Sequence, residues 1–192
     1  MTRTSRFLII LTAVLLMSAG AKGAGDAPQK ASKKGSKKDA AVQVESAAPK
    51  EISWLSFDAG LAKAKTENKA IVADFYTTWC GWCKRMDATT FRDSGVVAYF
   101  NKNFIGVRVN GDNAGDFLTY EGEKMSERQL TQTLGVRGYP TYWFLDSEGK
   151  KIGPAPGYMP VESFMSLLRY VGENHYKTMS YDSFVKKESG KG

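Results

Sequence analysis

The sequence predicts an α/β fold in which a central mixed sheet is flanked by helices within a single domain. Helix-like and strand-like segments alternate along the chain from residue 52 onward. The segment at residues 70–76 is nearly all apolar, which is typical of a strand that is buried on both faces of a sheet. Two strand-like segments around residues 141–152 are separated by a short polar turn, which predicts an antiparallel hairpin.

The first 51 residues are predicted to lie outside this domain. Arg3 and Arg6 precede an apolar run at residues 7–17, and small residues follow at 19–21, which is the pattern of a cleavable signal peptide over residues 1–21. The run is shorter than the roughly 20 residues that span a membrane, and an uncleaved membrane anchor is the alternative. Residues 22–51 are rich in Ala, Lys, Gly and Ser and lack aromatic residues, which predicts a disordered basic linker.

Most of the positive charge belongs to this N-terminal part. Residues 1–51 carry nine basic and four acidic side chains, which amounts to +5 of the net charge of +7. The rest of the chain is therefore close to neutral. Because it shows no basic patch interleaved with aromatic residues, no nucleic-acid partner is predicted. The linker is expected to be a solvated spacer, with weak attraction to an anionic membrane surface as the alternative.

Local patterns place the elements of the predicted domain, residues 52–172. Ser56 is a predicted N-cap, and a capping-box pattern begins at Ser126. The first two strands are joined through a helix, so we expect them to be parallel. Helices are predicted at residues 56–65, 80–88, 94–101, 126–134 and 160–172, and strands at 70–76, 104–110, 141–146 and from 151. Residues 111–122 are predicted to be a loop, and the C-terminal extension, residues 173–192, to hold a short helix around 182–186.

The only two cysteines, Cys80 and Cys83, lie between the first predicted strand and a predicted helix. Thiols at this spacing can close into a disulfide and open again, so the pair is predicted to be a redox centre. Cys80 would lie at a helix N-terminus, where free N–H groups and the helix dipole favour a thiolate. No cofactor beyond this disulfide is expected. Two cysteines and the single histidine, His175, cannot complete a four-ligand zinc site, so no metal is predicted.

The motif Trp-Cys-Gly-Trp-Cys-Lys at residues 79–84, followed by Gly-Tyr-Pro-Thr at 138–141, resembles the thioredoxin superfamily over residues 52–170. The string from Trp79 to Met86, with Thr-Phe-x-Asp at 90–93, is similar to the C-terminal domain of DsbD-type transmembrane reductases. The resemblance implies a thioredoxin-like fold and an exported protein-disulfide reductase. Its expected partners are disulfides of envelope proteins and a membrane electron donor of the DsbD or CcdA type. We expect a monomer that is periplasmic or secreted.

The resemblance also implies roles for residues near the cysteines. Cys80 would be the exposed nucleophile, and Cys83 the shielded cysteine that resolves the mixed disulfide. Asp74, an acid within an apolar strand, would lie buried beneath the pair with a raised pKa and deprotonate Cys83. A strand-end Asp facing water is the alternative. Arg108 stands where thioredoxins commonly carry Lys, and this departure is expected to hold Asp74 ionised and to weaken it as a base.

Four further residues are predicted to form the substrate surface. Pro140 is predicted to be cis, with an ordinary trans loop proline as the alternative. The cis bond would leave the backbone of Tyr139 free to pair with an extended substrate chain. Trp79 is expected to pack beside the active site. Trp82 replaces the usual proline between the cysteines and is expected to shape the docking surface.

Three functions stay open on the sequence alone. A reductase is favoured because Asp74 is present and no thiolate-stabilising histidine lies between the cysteines. An oxidase or isomerase would share the fold and the site but have a higher reduction potential. A thioredoxin-like binding module would instead use Cys80 and Cys83 as a structural disulfide.

Overall fold

The computed structural model describes residues 50–190. The predicted signal peptide and nearly all of the predicted linker lie outside the described residues. Between residues 50 and 190, no helix has both the length and the apolar character that crossing a membrane requires.

Strands and helices are interspersed along residues 50–190, which confirms the predicted α/β class. The strands are β1 (Trp54–Leu55), β2 (Ala70–Tyr76), β3 (Phe104–Asn110), β4 (Phe117–Tyr120), β5 (Glu123–Ser126), β6 (Thr141–Leu145) and β7 (Lys151–Pro156). The helices are α1 (Phe57–Glu67), α2 (Gly81–Ala88), α3 (Ser94–Asn103), α4 (Glu127–Thr133), α5 (Val161–Gly172) and α6 (Tyr181–Ser189). Short 3₁₀ turns lie at Thr90–Arg92 and His175–Lys177.

The central sheet is mixed, with the strand order β1-β3-β2-β6-β7. The strands β1, β3 and β2 run parallel, whereas β6 is antiparallel to both β2 and β7. The predicted parallel crossover and the predicted hairpin are therefore confirmed. In this register Asp74 on β2 lies opposite Arg108 on β3 and opposite Tyr142 on β6.

Helices pack on both faces of the sheet. One apolar cluster joins the sheet to α2, α3 and α5 and includes Val72, Phe100 and Phe164. The other joins it to α1, α4 and β4 and includes Ile71. Because successive side chains of a strand point to opposite faces, Asp74 shares the face of Val72. The acid therefore lies on the side of the sheet that carries α2.

The helix cap predicted at Ser126 is formed by hydrogen bonds, whereas the one predicted at Ser56 is not. The Ser126 hydroxyl accepts a hydrogen bond from the Gln129 backbone N–H, and the Gln129 side chain accepts one from the Ser126 N–H, so the capping box is confirmed. Cys80 lies at the N-terminal end of a helix, as expected, where it is the N-cap of α2. Ser56 occupies the N-cap position of α1, but its side chain makes no capping hydrogen bond.

The prediction that residues 111–122 form a loop is wrong. Residues 117–120 of this segment form β4, which pairs with β5 as an antiparallel hairpin. Leu118 and Tyr120 are buried against the α1 side of the core, and this burial stabilises the short strands. The strand β1 was also not predicted, because two residues are too few to show a period.

The C-terminal extension folds against α5. The Tyr170 hydroxyl donates a hydrogen bond of 2.7 Å to the Met179 carbonyl oxygen, and the Phe184 ring lies 5.6 Å from the Tyr170 ring. The helix α6 is longer than the helix expected around residues 182–186. The His175 ring packs 4.8 Å from the Phe184 ring.

Candidate active site

The two cysteines form a disulfide at the N-terminal end of α2. Cys80 is the N-cap residue, and its Sγ atom accepts a hydrogen bond of 3.0 Å from the Cys83 backbone N–H. A sulfur in this position faces the free N–H groups and the positive end of the helix dipole, both of which favour a thiolate after reduction. The local geometry therefore suits Cys80 to nucleophilic attack.

The expected difference in exposure between the two cysteines is not seen. Cys80 is 5% exposed and Cys83 is 4% exposed, so both count as buried in the oxidised protein. The exposed side chains of the motif are instead Trp79, at 66%, and Trp82, at 56%. The prediction that Cys80 is exposed is therefore wrong for the disulfide form, in which each sulfur covers the other.

Trp79 connects the disulfide to the segment that follows β3. Its indole Nε1 donates a hydrogen bond of 2.6 Å to Asp112 Oδ2, and its ring meets the Tyr139 ring edge-on at 6.0 Å. The Tyr139 hydroxyl approaches Gly111 so closely that a Cβ atom there would lie 1.9 Å from the hydroxyl oxygen. Trp79 and Tyr139 thus form one wall beside the disulfide.

The peptide bond between Tyr139 and Pro140 is cis, as predicted. Pro140 is buried, and its carbonyl oxygen accepts a hydrogen bond of 2.8 Å from the Gly157 N–H. This bond ties the proline loop to the segment after β7. That segment carries Tyr158, whose ring lies 5.5 Å from the Trp82 ring and forms a second wall with it.

Asp74 is buried, at 2% exposure, so the water-facing alternative is excluded. Its Oδ2 atom accepts a hydrogen bond of 3.1 Å from Arg108 Nε, whereas Oδ1 has no hydrogen-bond partner among residues 50–190. Burial raises the pKa of Asp74 from its ordinary value of 3.8 to about 7, against the opposing effect of the Arg108 charge. The Arg108 charge therefore lowers the pKa of Asp74, but burial has the larger effect.

Arg108 joins Asp74 to the redox helix. Its guanidinium also pairs with the carboxylate of Asp87 on α2, four residues after Cys83. The guanidinium carbon lies 4.9 Å from the Trp54 ring centre and 5.1 Å from that of Tyr76, which fixes its position. The negative charge of Asp87 raises the pKa of Asp74 further. The carboxylates of Asp74 on β2 and Asp87 on α2 therefore share the guanidinium of Arg108.

A family model of the thioredoxin-like domain matches residues 57–172, which is more than half of the chain. The chain belongs to the thioredoxin-like family. Its Cys-x-x-Cys pair at disulfide distance and its fold are those of thioredoxin-like thiol–disulfide oxidoreductases.

Similar proteins agree with this family. The thiol:disulfide interchange protein DsbD of Photorhabdus laumondii is 30% identical over 115 residues, which cover 58% of this chain but 18% of the relative. This chain therefore matches less than a fifth of that relative's length. A thioredoxin-fold protein from Helicobacter pylori superposes with a TM-score of 0.56 at 22% identity, covering 66% of this chain and 88% of that one. A thioredoxin from Thermus thermophilus gives a TM-score of 0.52 at 25% identity, with 63% and 87% covered.

Three residues of this thioredoxin-like site escaped the sequence reasoning. Asp87 follows Cys83 at helical spacing, so a search for acids one turn beyond the cysteines would have found it. Asp112 and Tyr158 lie 32 and 78 residues from Cys80 in the chain. No local pattern links them to the motif, and only the packing of the loops brings them to the two walls.

Metal ligation finds no support in the described part of this thioredoxin-like chain. Between residues 50 and 190, no group of three or more His, Cys, Asp or Glu side chains is placed to hold an ion. His175, on the 3₁₀ turn after α5, is instead 3.1 Å from the Glu173 carboxylate.

Proposed function

We propose that this protein is an exported thiol–disulfide reductase that reduces disulfides of envelope proteins through the dithiol form of Cys80 and Cys83. The observation that carries the proposal is Asp74, a buried carboxyl whose pKa of about 7 suits it to accept a proton at neutral pH. It lies on the face of the sheet that bears the redox helix and is joined to that helix through Arg108.

In the proposed reaction the Cys80 thiolate attacks one sulfur of the target disulfide. A mixed disulfide forms, and the second target sulfur leaves with the electron pair of the broken bond. The Cys83 thiol then gives its proton to Asp74, and the resulting thiolate attacks the Cys80 sulfur. Both target sulfurs leave as thiolates, and they become thiols by taking the proton held by Asp74 and one proton from solvent. Two electrons have then passed to the target, and the protein is left with the Cys80–Cys83 disulfide.

The reduction potential of the Cys80–Cys83 pair tests the direction of this reaction. Equilibration of the full chain with glutathione buffers measures it. A value near the thioredoxin potential of about −270 mV is expected, whereas a value near about −120 mV, as in a strong oxidant, would contradict the reductase and favour an oxidase.

The burial of both cysteines favours one other candidate, a binding module with a structural disulfide. Trapping separates the two functions. Replacing Cys83 by serine removes the resolving thiol, so a reductase accumulates mixed disulfides through Cys80. The matched Cys80→Ser variant, which keeps only the resolving thiol, should capture far less. Loss of folding in both variants without captured targets would support the structural disulfide.

Export is proposed from the signal-peptide pattern at residues 1–21, and the electron donor from the similarity to DsbD. A membrane carrier of the DsbD or CcdA type would return the protein to its dithiol form. N-terminal sequencing of the protein isolated from cells should find a start after about Ala21. An intact Met1 would refute cleavage and favour the anchored alternative.

A further inference from the structure

Trp82 forms an exposed aromatic surface directly beside the disulfide. Its side chain is 56% exposed. The Trp82 ring is tilted against the Tyr158 ring at 5.5 Å. The guanidinium carbon of Arg85 lies 5.5 Å from the Trp82 ring centre and 5.4 Å from that of Tyr158. We call Trp82, Arg85 and Tyr158 the Trp82 patch.

Hydrogen bonds hold the Tyr158 side of this patch in place. The Gly157 N–H donates to the Pro140 carbonyl oxygen at 2.8 Å, and the Thr90 hydroxyl donates to the Met159 carbonyl oxygen at 2.7 Å. Both neighbours of Tyr158 are therefore fixed, one to the cis-proline loop and one to the turn after α2. A surface that is already ordered loses little conformational entropy when it binds a partner.

Arg85 gives the patch an unneutralised positive charge. Within residues 50–190 its guanidinium forms no ion pair with a carboxylate. Stacking on two rings orients the planar group and leaves N–H donors for a carboxylate acceptor. On the other side of the disulfide the Trp79 indole contacts the carboxylate of Asp112, and the Arg128 guanidinium donates a hydrogen bond of 2.6 Å to the Asp112 carbonyl oxygen. That wall therefore carries charges of both signs.

We propose that the Trp82 patch is a docking subsite for an acidic side chain that flanks the target disulfide in an extended segment of the substrate protein. This inference rests on the proposed reductase function and names the chemistry of its substrates. The carboxylate pairs with Arg85, and the neighbouring chain of the target packs on the exposed faces of Trp82 and Tyr158.

Three peptides test the subsite. They differ only in the residues that flank a single cysteine, which are Asp, Asn or Lys, and the cysteine is linked to thionitrobenzoate. The Cys80 thiolate of the reduced full chain attacks the peptide sulfur, and thionitrobenzoate leaves with the electron pair of the broken S–S bond as a coloured thiolate. Each rate is divided by the rate with dithiothreitol, a neutral dithiol, so that intrinsic differences between the peptides cancel.

The wild-type protein should prefer the Asp peptide over the Asn peptide by about 1.5-fold to fivefold, the range that an exposed charge pair supports. The preference should shrink as salt is added. Arg85→Glu should reverse the order in favour of the Lys peptide. Lys102→Glu is the control, because it changes the net charge by the same amount as Arg85→Glu. Lys102 is exposed near the C-terminal end of α3, just before β3 begins, whereas the redox helix follows the C-terminal end of the parallel strand β2. This variant should keep the preference for Asp.

Equal normalised rates for the Asp and Asn peptides in the wild-type protein would overturn the subsite and leave the reductase function standing. An unchanged preference for Asp in the Arg85→Glu variant would also overturn it. If the reduced protein released thionitrobenzoate from none of the peptides, the proposed function would fail, and the subsite with it.

Discussion

Replacing Asp74 by asparagine should make the protein more stable at neutral and alkaline pH. The carboxyl is 2% exposed, and burial raises its pKa from 3.8 to about 7. At about 1.4 kcal/mol for each pKa unit, keeping Asp74 ionised in the folded protein costs about 4 kcal/mol. The amide of the Asp74→Asn variant has a similar shape and carries no charge, so the variant avoids this cost.

The sign of the pH dependence follows from proton binding. The folded protein holds the Asp74 proton more tightly than the unfolded chain, so the associated stability is fully present below pH 3.8. This contribution to the free energy of unfolding is lost progressively as the pH rises from 3.8 to about 7. Above that pH Asp74 is ionised in the folded protein, and the full loss of stability relative to low pH remains. The stability difference between the variant and the wild type should therefore be near zero at low pH and reach about 4 kcal/mol above neutrality.

Urea unfolding of the oxidised proteins across this pH range measures the difference, because the disulfide keeps the thiols from titrating. Asp182→Asn is the control, since Asp182 is an exposed acid on α6 and its loss should change stability by about 0.5 kcal/mol or less. A stability gain for Asp74→Asn that does not change with pH would refute the reasoning. The same variant should resolve mixed disulfides more slowly, by about a hundredfold if Asp74 is the base.

Three further substitutions test the neighbours of the site and the core. Asp87→Asn should lower the pKa of Asp74 below about 7, because it removes a charge that raises it; a carboxyl titration by NMR measures this, and an increase would contradict it. Gly111→Ala should cost about 1–3 kcal/mol in urea unfolding, since the new Cβ clashes with the Tyr139 hydroxyl; an unchanged midpoint would count against that contact. Phe100→Ala should cost about 3–5 kcal/mol in the same assay, and a loss below about 1 kcal/mol would show that the site collapses around the cavity.

The fold was predictable where local patterns are strong. The apolar run of β2 can be buried on both faces only inside a sheet, and Ser126 with Gln129 shows the start of α4 in four residues. The hairpin of β4 and β5 was missed because its turn lacks the usual sequence signal. Its central residues Glu121 and Gly122 both have positive φ, at 51° and 86°, and asparagine or aspartate is the expected residue at the first of these positions.

The candidate site was predictable only in part, because its members come from distant segments. A resemblance carried by Cys80, Cys83 and Pro140 placed the disulfide and the cis peptide bond. It could not show that Tyr158 supports Trp82, since that contact depends on how the segment after β7 packs. The prediction that Cys80 is exposed was wrong for a similar reason. The burial of a sulfur depends on its bonded partner and on the surrounding rings, which come from distant segments.

The relative strength of burial and charge decides what Arg108 does to Asp74. Arg108 attracts Asp74 but shares its charge with Asp87, and its side chain is 27% exposed beside a surface cleft of about 240 Å³. Solvent there weakens the attraction, whereas Asp74 is removed from water and has one oxygen without a partner. Burial therefore outweighs the ion pair and raises the pKa of Asp74 to about 7. The proton transfer from Cys83 that we propose requires such a pKa, because a carboxyl held fully ionised by a dedicated cation accepts a proton poorly.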